Sequence, residues 1–394
     1  MPKPAFEVAD IFRAHGSQYR AEHRLPLHQL RLMGAIESCR TVALGGHVEN
    51  CSHCDYERIS YNSCCNRHCP KCQNLAREKW LESRKAELLP IDYFHVVFTI
   101  PEQLNDLALR NQQLIYKLLF ETSAATLRTI AADPKHLGAQ IGFFSILHTW
   151  GQDLRFHPHI HCVVTGGGVS PDRSQWVDCK PGFFLPVRVL SALFRRLLLE
   201  ALDRAFRNQQ LLFPGNIAPL ENPAAFRALL QPLRKIDWVV YAKPPFGGPV
   251  RVLQYLGRYT HRVAISNERI LSFDKGQVTF QYKKYRSADS HKSRRMTISA
   301  EEFIRRFLLH SLPPGFQRIR HYGLFASRKK KQNLALCRQL LNATTGTEGL
   351  LPSAAQIKEV VSQLLDQSRN CPVCHAGLMI RTQIIAPVRR CDSS

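Results

Sequence analysis

The chain has 394 residues, 44% of them hydrophobic, which is enough to bury a core and, at roughly 150 residues per domain, suggests two or three domains. Lys and Arg total 54 against 31 Asp and Glu, and the net charge of +23 points to a polyanionic partner, nucleic acid first. No apolar run reaches the length of about 18 residues that a transmembrane helix needs. Glu7 and Asp10 also stand where a signal peptide is apolar, so a reducing cytoplasm is expected, in which the 13 cysteines read as metal ligands or free thiols.

In chain order, residues 25–39 carry Leu27, Leu30, Met33 and Ile36 close to helical period. Residues 47–72, rich in Cys, His and Asn, have no such period and read as loops tied by metal; 74–89 is a basic amphipathic helix stopped by Pro90. A β-branched and aromatic strand is expected over 93–100, a helix over 104–132, and two strands over 141–150 and 160–165, the second broken by Gly166, Gly167 and Gly168. Then follow a helix over 186–212, a strand over 238–242, a helix over 249–264, short strands over 269–273 and 277–282, and a helix over 300–310. The tail from about 331 is helical and polar and ends in a CxxC pair. Strands interleaved with helices, some on connections too short for a crossover, predict an α+β fold with antiparallel pairs. Three regions result: a helical, cysteine-rich module over 1–90, a domain of strands and helices over 91–330, and a helical basic tail with a CxxC knuckle over 331–394; the motifs they hold suit them to zinc binding and DNA recognition, to catalysis, and to a further knuckle.

Five constellations carry chemistry. Cys51 and Cys54, then Cys69 and Cys72, form two CxxC knuckles whose thiolates can close a tetrahedral Zn²⁺ site, with Cys64 and His68 between them as alternate ligands. A closed four-ligand site is structural, and Arg67 and Lys71 beside it suggest a grip on DNA. His157, His159 and His161 alternate along a strand and share one face, so two imidazoles can hold one divalent ion; Gln152, across the expected hairpin, is a candidate oxygen ligand with Asp153 as competitor. Tyr255 and Tyr259 are one helical turn apart, about 6 Å, among Arg251, Arg258 and Arg262, an arrangement that suits attack on a phosphodiester. Lys283, Lys284, Arg286, Arg294 and Arg295, interleaved with Tyr282 and Tyr285, are a candidate track for single-stranded DNA. Cys371 and Cys374, with His375 and Cys391 nearby, are half a zinc site or a further knuckle.

These pieces together resemble transposases of the insertion-sequence-ninety-one type, two-tyrosine HUH nucleases. The likeness runs from Cys-Arg-Thr-Val-Ala-Leu-Gly-Gly-His at 39–47 and Asn-Arg-His-Cys-Pro-Lys-Cys-Gln at 66–73 through His-Pro-His-Ile-His at 157–161. It continues with Tyr-Leu-Gly-Arg-Tyr-Thr-His-Arg-Val-Ala at 255–264 and Arg-His-Tyr-Gly at 320–323. The resemblance implies a central antiparallel sheet flanked by helices, of HUH type, and a bacterial enzyme acting at the nucleoid. It implies His159 and His161 as ligands of a catalytic Mg²⁺ or Mn²⁺ and Tyr255 and Tyr259 as nucleophiles. It further implies that single-stranded DNA at element ends, and then target DNA, is cut and rejoined through a 5′-phosphotyrosine, with no membrane involved. Two positions depart from the family pattern: Cys65 replaces a basic residue, and His375 stands where glycine is usual. Two rival readings remain at this stage. A histidine-triad nucleotide hydrolase or transferase would use His159 as nucleophile but gives the cysteines and tyrosines no role. A non-catalytic zinc protein that binds DNA explains the charge but leaves the histidine and tyrosine motifs as accidents.

Overall fold

The computed structural model describes residues 4–72, 87–180, 184–243, 263–283, 293–345 and 370–388. Helices α1 (Val8–Glu22) and α2 (Leu27–Ser38) open the chain. The stretch expected as loops holds two strands, β1 (Gly46–Cys51) and β2 (Glu57–Tyr61), paired antiparallel. Only Gly46 and Val48 of this pair are buried, so the hydrophobic pattern that normally announces strands is missing.

The middle of the chain supplies β3 (Tyr93–Thr99), α3 (Asn105–Arg110), α4 (Gln112–Ala132), β4 (Gln140–Trp150), β5 (Phe156–Val169) and β6 (Trp176–Asp178). Next come α5 (Val187–Arg207), α6 (Pro223–Leu233), β7 (Val240–Lys243), β8 (Ile270–Asp274), β9 (Gln277–Lys283) and β10 (Ser293–Ser299). The chain closes with α7 (Ala300–Leu309), β11 (Ile319–Gly323), α8 (Lys330–Thr345) and β12 (Met379–Ile385).

Six of these strands form one antiparallel sheet in the order β11-β4-β5-β3-β7, with β6 added to β5. Strand alternation divides its side chains between two faces. Phe94, Val96, Phe98, Phe143, Leu147, Ile160, Cys162 and Val164 pack on one face against α4 and α5, through Leu119, Phe120, Leu127, Phe194 and Leu198. On the other face Tyr93, Phe144, Ile146 and Val163 meet Leu334, Cys337 and Leu341 of α8. Towards the end of the sheet beyond Ile146 and Val163, that second face turns from aliphatic to histidine. The architecture is α+β, a large antiparallel sheet flanked by helices, as expected.

Residues 166–168 do not break β5, which runs through them to Val169. There the three glycines let β5 pass close to its neighbours: a Cβ on Gly167 would lie 2.7 Å from the Trp176 indole nitrogen, and one on Gly168 would lie 2.5 Å from the Gln140 carbonyl oxygen.

A second core ties the N-terminal helices to the later part of the chain. The small sheet β10-β9-β8 turns Val278, Phe280 and Ile270 towards Phe303 and Phe307 of α7 and towards Val8, Ile11 and Phe12 of α1. A third sheet, in the order β12-β1-β2, pairs β12 with β1, so the end of the chain returns to its beginning. No described helix is long and apolar enough to cross a membrane.

Candidate metal centres and active site

The four thiols expected to close one zinc site do not converge. Cys69 and Cys72 meet Cys39 and Cys64, while Cys51 and Cys54 meet Cys371 and Cys374; in each group the ligand atoms lie within 4.8 Å of one another. A CxxC spacing fixes which two thiols share a knuckle but leaves open which knuckles meet, and Cys39, alone at the end of α2, carries no such spacing. Cys64, an alternate in the sequence reading, joins the first group. His68 does not: its Nε2 accepts from the Leu312 N–H at 3.3 Å, and burial pushes its imidazole down to about 3.

Within the first group Cys72 Sγ lies 3.5 Å from Cys39 Sγ and 3.6 Å from Cys64 Sγ. A zinc ion with four thiolates at about 2.3 Å needs sulfur–sulfur edges of about 3.8 Å, so the group fits the ion. Hydrogen bonds from Cys64 and then Cys69 hold the Cys39 thiol far below its ordinary range, while Cys64 and Cys69 are pushed up by the same contacts. A bound cation would favour the thiolate form of all four. Arg67 beside this group is turned inward, donating to the carbonyls of Phe316 (2.6 Å), Pro313 (2.8 Å) and Leu312 (3.4 Å). It therefore clamps the cysteine loop to the segment after α7 rather than reaching outward, and Lys71 is likewise paired with Glu7 at 2.5 Å.

On the histidine end of the large sheet, His159 and His161 of β5 converge with His148 of β4, their ligand atoms again within 4.8 Å. His148 stands directly opposite His159 in the β4–β5 register, and Ile146 stands opposite His161. His148 is not among the residues expected from the sequence; the cross-strand pairing of the expected hairpin is the signal that could have found it. His159 Nδ1 donates to the His157 carbonyl at 2.6 Å, which leaves Nε2 with its lone pair. His161 Nδ1 is bonded to Nε2 of the buried His95 at 2.8 Å, a partner that orients the ring. Trp150 stacks on His148 with centroids 4.7 Å apart, and the Arg318 guanidinium lies 5.1 Å from the Trp150 ring centre. Two imidazoles with oriented second nitrogens, and a third held by the Trp150 ring, suit a divalent cation with positions left for substrate. Gln152 lies in the turn between β4 and β5, where its backbone carbonyl accepts from Arg269.

Tyr255, Tyr259, Arg258, Arg262, Lys284, Arg286 and Cys391 lie outside the described residues, as do most of the expected helices at 74–89 and 249–264. Lys283 and Arg295 are exposed and fall on the outer face of the β8–β10 sheet, since Arg295 pairs with Gln281 two residues before Lys283. Arg294 pairs with Tyr282 and falls on the opposite face. The expected track is thus divided between two faces.

Two family models match the chain: "Transposase zinc-binding domain", of the insertion-sequence-ninety-one type, over residues 11–100, and "Putative transposase" over residues 142–333. Among curated proteins, "Putative transposase y4qJ" of Sinorhizobium fredii is 55% identical over the whole of both chains. "Transposase for insertion sequence element IS801" of Pseudomonas savastanoi pv. phaseolicola is 28% identical over 88% of this chain and 82% of its own length. No solved structure matches. The histidine-triad reading does not account for a likeness that spans the cysteine loop and the histidine strand together, and the chain belongs to the transposases of the insertion-sequence-ninety-one type, with their zinc-binding domain at its N-terminal end.

Proposed function

We propose that this transposase cuts and rejoins single-stranded DNA by transesterification, with Tyr255 and Tyr259 as nucleophiles and His148, His159 and His161 holding a catalytic Mg²⁺ or Mn²⁺. The observation that carries the reading is the convergence of three imidazoles on one end of the large sheet. The path of the chain supports it. β7 ends at Lys243 in register with His95, whose ring bonds His161. Ala264 and Ile265 re-enter the core that holds Trp150, the ring stacked on His148. The described residues on either side of the segment that holds both tyrosines thus connect to the histidine site, one through β3 and the other through the core around Trp150.

The phenol oxygen of one tyrosine attacks phosphorus, the bond to the 3′-oxygen breaks, and that oxygen departs with the phenolic proton as a free 3′-hydroxyl. The 5′-phosphate remains as a tyrosine ester, which keeps the bond energy for a later attack by another 3′-hydroxyl. A divalent ion, when bound, supplies Lewis-acid polarisation of the phosphoryl oxygens. His95 and the His157 carbonyl hold the His161 and His159 rings in place before substrate arrives, and the Trp150 ring fixes His148. Two tyrosines allow two strands to be held in turn. We place the DNA along Arg258, Arg262, Lys283, Lys284, Arg286 and Arg295, leaving out Arg294 on the opposite face of its strand, with the zinc-binding domain recognising the element.

Labelled single strands from the element ends, incubated with the full chain and Mg²⁺ or Mn²⁺, are expected to yield a covalent adduct on a denaturing gel. The adduct should vanish in the Tyr255→Phe/Tyr259→Phe double variant and in His159→Ala/His161→Ala. An adduct that persists in the double tyrosine variant, or that forms equally well in excess chelator, overturns the proposal.

A further inference from the structure

We propose that Cys51, Cys54, Cys371 and Cys374 hold a structural zinc ion of their own, which fastens the two ends of the chain together. The site lies apart from the Cys39 group, and half of its ligands fall beyond both stretches that match family models.

Cys51 Sγ is 3.6 Å from Cys374 Sγ, and Cys54 Sγ is 3.7 Å from Cys371 Sγ, again close to the edge of about 3.8 Å that a zinc tetrathiolate needs. Each knuckle thus gives one thiol to each close pair, so the two knuckles interleave. Backbone amides also point at the sulfurs: the N–H of His53 donates to Cys51 Sγ at 3.3 Å, that of Val373 to Cys371 Sγ at 3.4 Å, and that of Gly377 to Cys374 Sγ at 3.4 Å. Such donors stabilise thiolates and are what a metal knuckle places around its ligands. The C-terminal knuckle is also shaped to admit its partner, because a Cβ on Gly377 would collide with Cys51 Sγ. His375 takes the left-handed backbone, φ 56°, directly after Cys374.

The strands on either side need such a staple. β12 lies on the edge of the β12-β1-β2 sheet, and of its seven residues only Met379 is buried; Ile380 and Ile384 are 53% and 80% exposed. Ladder hydrogen bonds to β1, with Ser52 N–H to the Leu378 carbonyl and Leu378 N–H to Ser52 Oγ (both 2.9 Å), are the main contacts that otherwise hold it. A three-stranded sheet with so little apolar burial is marginal in water. A four-thiolate ion at its end closes the long loop between Cys54 and Cys371 and sets the register through Cys51, which pairs with Met379. The N-terminal zinc module is thereby completed by residues from the other end of the chain.

The test is zinc stoichiometry of the purified full chain, read by native mass spectrometry and by release to a colorimetric zinc indicator. Cys371→Ser/Cys374→Ser is expected to carry one zinc fewer than the wild type, and so is Cys51→Ser/Cys54→Ser. The quadruple variant should lose that same single ion and no more, which also shows that the Cys39 group still folds. Cys374→His, which keeps four ligands, should hold the wild-type count. An unchanged count in either double variant, or a quadruple variant that loses two ions, overturns the proposal. Peptide mapping without reductant that recovers Cys51 or Cys54 in a disulfide with Cys371 or Cys374 does the same.

Discussion

His310 follows α7 with its ring wholly enclosed, between Trp150 and Phe156 and away from solvent. Its Nε2–H donates to the Leu154 carbonyl at 3.0 Å, and its Nδ1 accepts from the Thr149 hydroxyl at 3.2 Å. Both bonds suit the neutral ring, and burial pushes the imidazole down to about 4, only partly opposed by the Leu154 carbonyl and Asp153. In the unfolded chain His310 takes its proton near 6.5, whereas in the folded chain it resists until about 4. Its contribution to stability is therefore complete above pH 6.5 and is lost as the pH falls from there towards 4. Between about pH 6.5 and 5 this single group should cost about 2 kcal/mol of folding free energy, since the folded state forgoes about 1.36 kcal/mol for each pH step over which only the unfolded chain is protonated. His310→Gln, which offers a donor and an acceptor but does not titrate, should unfold in denaturant with a smaller drop in midpoint from about pH 7 to pH 5 than the wild type. Parallel drops in the two proteins would show that His310 is not a proton-linked group.

Among the elements, the β4–β5 hairpin decides most of what the site can be, and it is only half legible in the sequence. His159 and His161 share a face because strands have a period of two, which the sequence alone states. His148 joins them through register, set by the five-residue turn Gly151–Arg155 and by a bulge between His148 and Trp150, neither of which composition announces. The cysteines behave in the same way: each CxxC is visible, but Cys51 meets Cys374 only because β12 travels back to β1. Gly166, Gly167 and Gly168 suggest a break because glycine usually ends a strand; here they stand where β6 and the start of β4 crowd against β5. Gly168→Ala is expected to lower stability by about 1–3 kcal/mol, the usual cost of forcing a methyl into a packed site, because its Cβ would meet the Gln140 carbonyl oxygen at 2.5 Å within a ladder that cannot move alone. Ala at Gly34 of α2, where no atom lies within 4 Å of an added Cβ, is the matched control and should not destabilise. Equal denaturation midpoints for Gly168→Ala and wild type would mean that β5 can shift away from Gln140 at little cost.

For the whole molecule, the charge of +23 is the dominant fact, and it is distributed unevenly between structure and surface. Arg67, Lys71, Arg20 and Arg306 are committed to carbonyls or carboxylates inside the fold, so they cannot also neutralise phosphates without giving up those partners. Lys283 and Arg295 are exposed on the outer face of a small sheet that is anchored by Phe280 on α7 and the N-terminal helices, a rigid platform rather than a tail. If single-stranded DNA runs over that platform and engages about six phosphates, log affinity should fall with log salt at a slope of about −4, since each neutralised phosphate contributes about −0.7. Raising salt from about 50 to 200 mM would then weaken binding by a few hundred-fold. Lys283→Gln/Arg295→Gln should flatten the slope by about 1.4 and weaken binding similarly for every sequence, because these contacts reach phosphate and not base. Thr279 and Thr297, which bond each other across the same face at 2.8 Å, lie between strands that the substitutions leave paired, so the platform itself should survive. Fluorescence anisotropy with an unrelated single strand at several salt concentrations reads both quantities at once. A slope unchanged by the double substitution would remove this face from the DNA path and leave the positive charge of residues 244–262 and 284–292 to carry the strand.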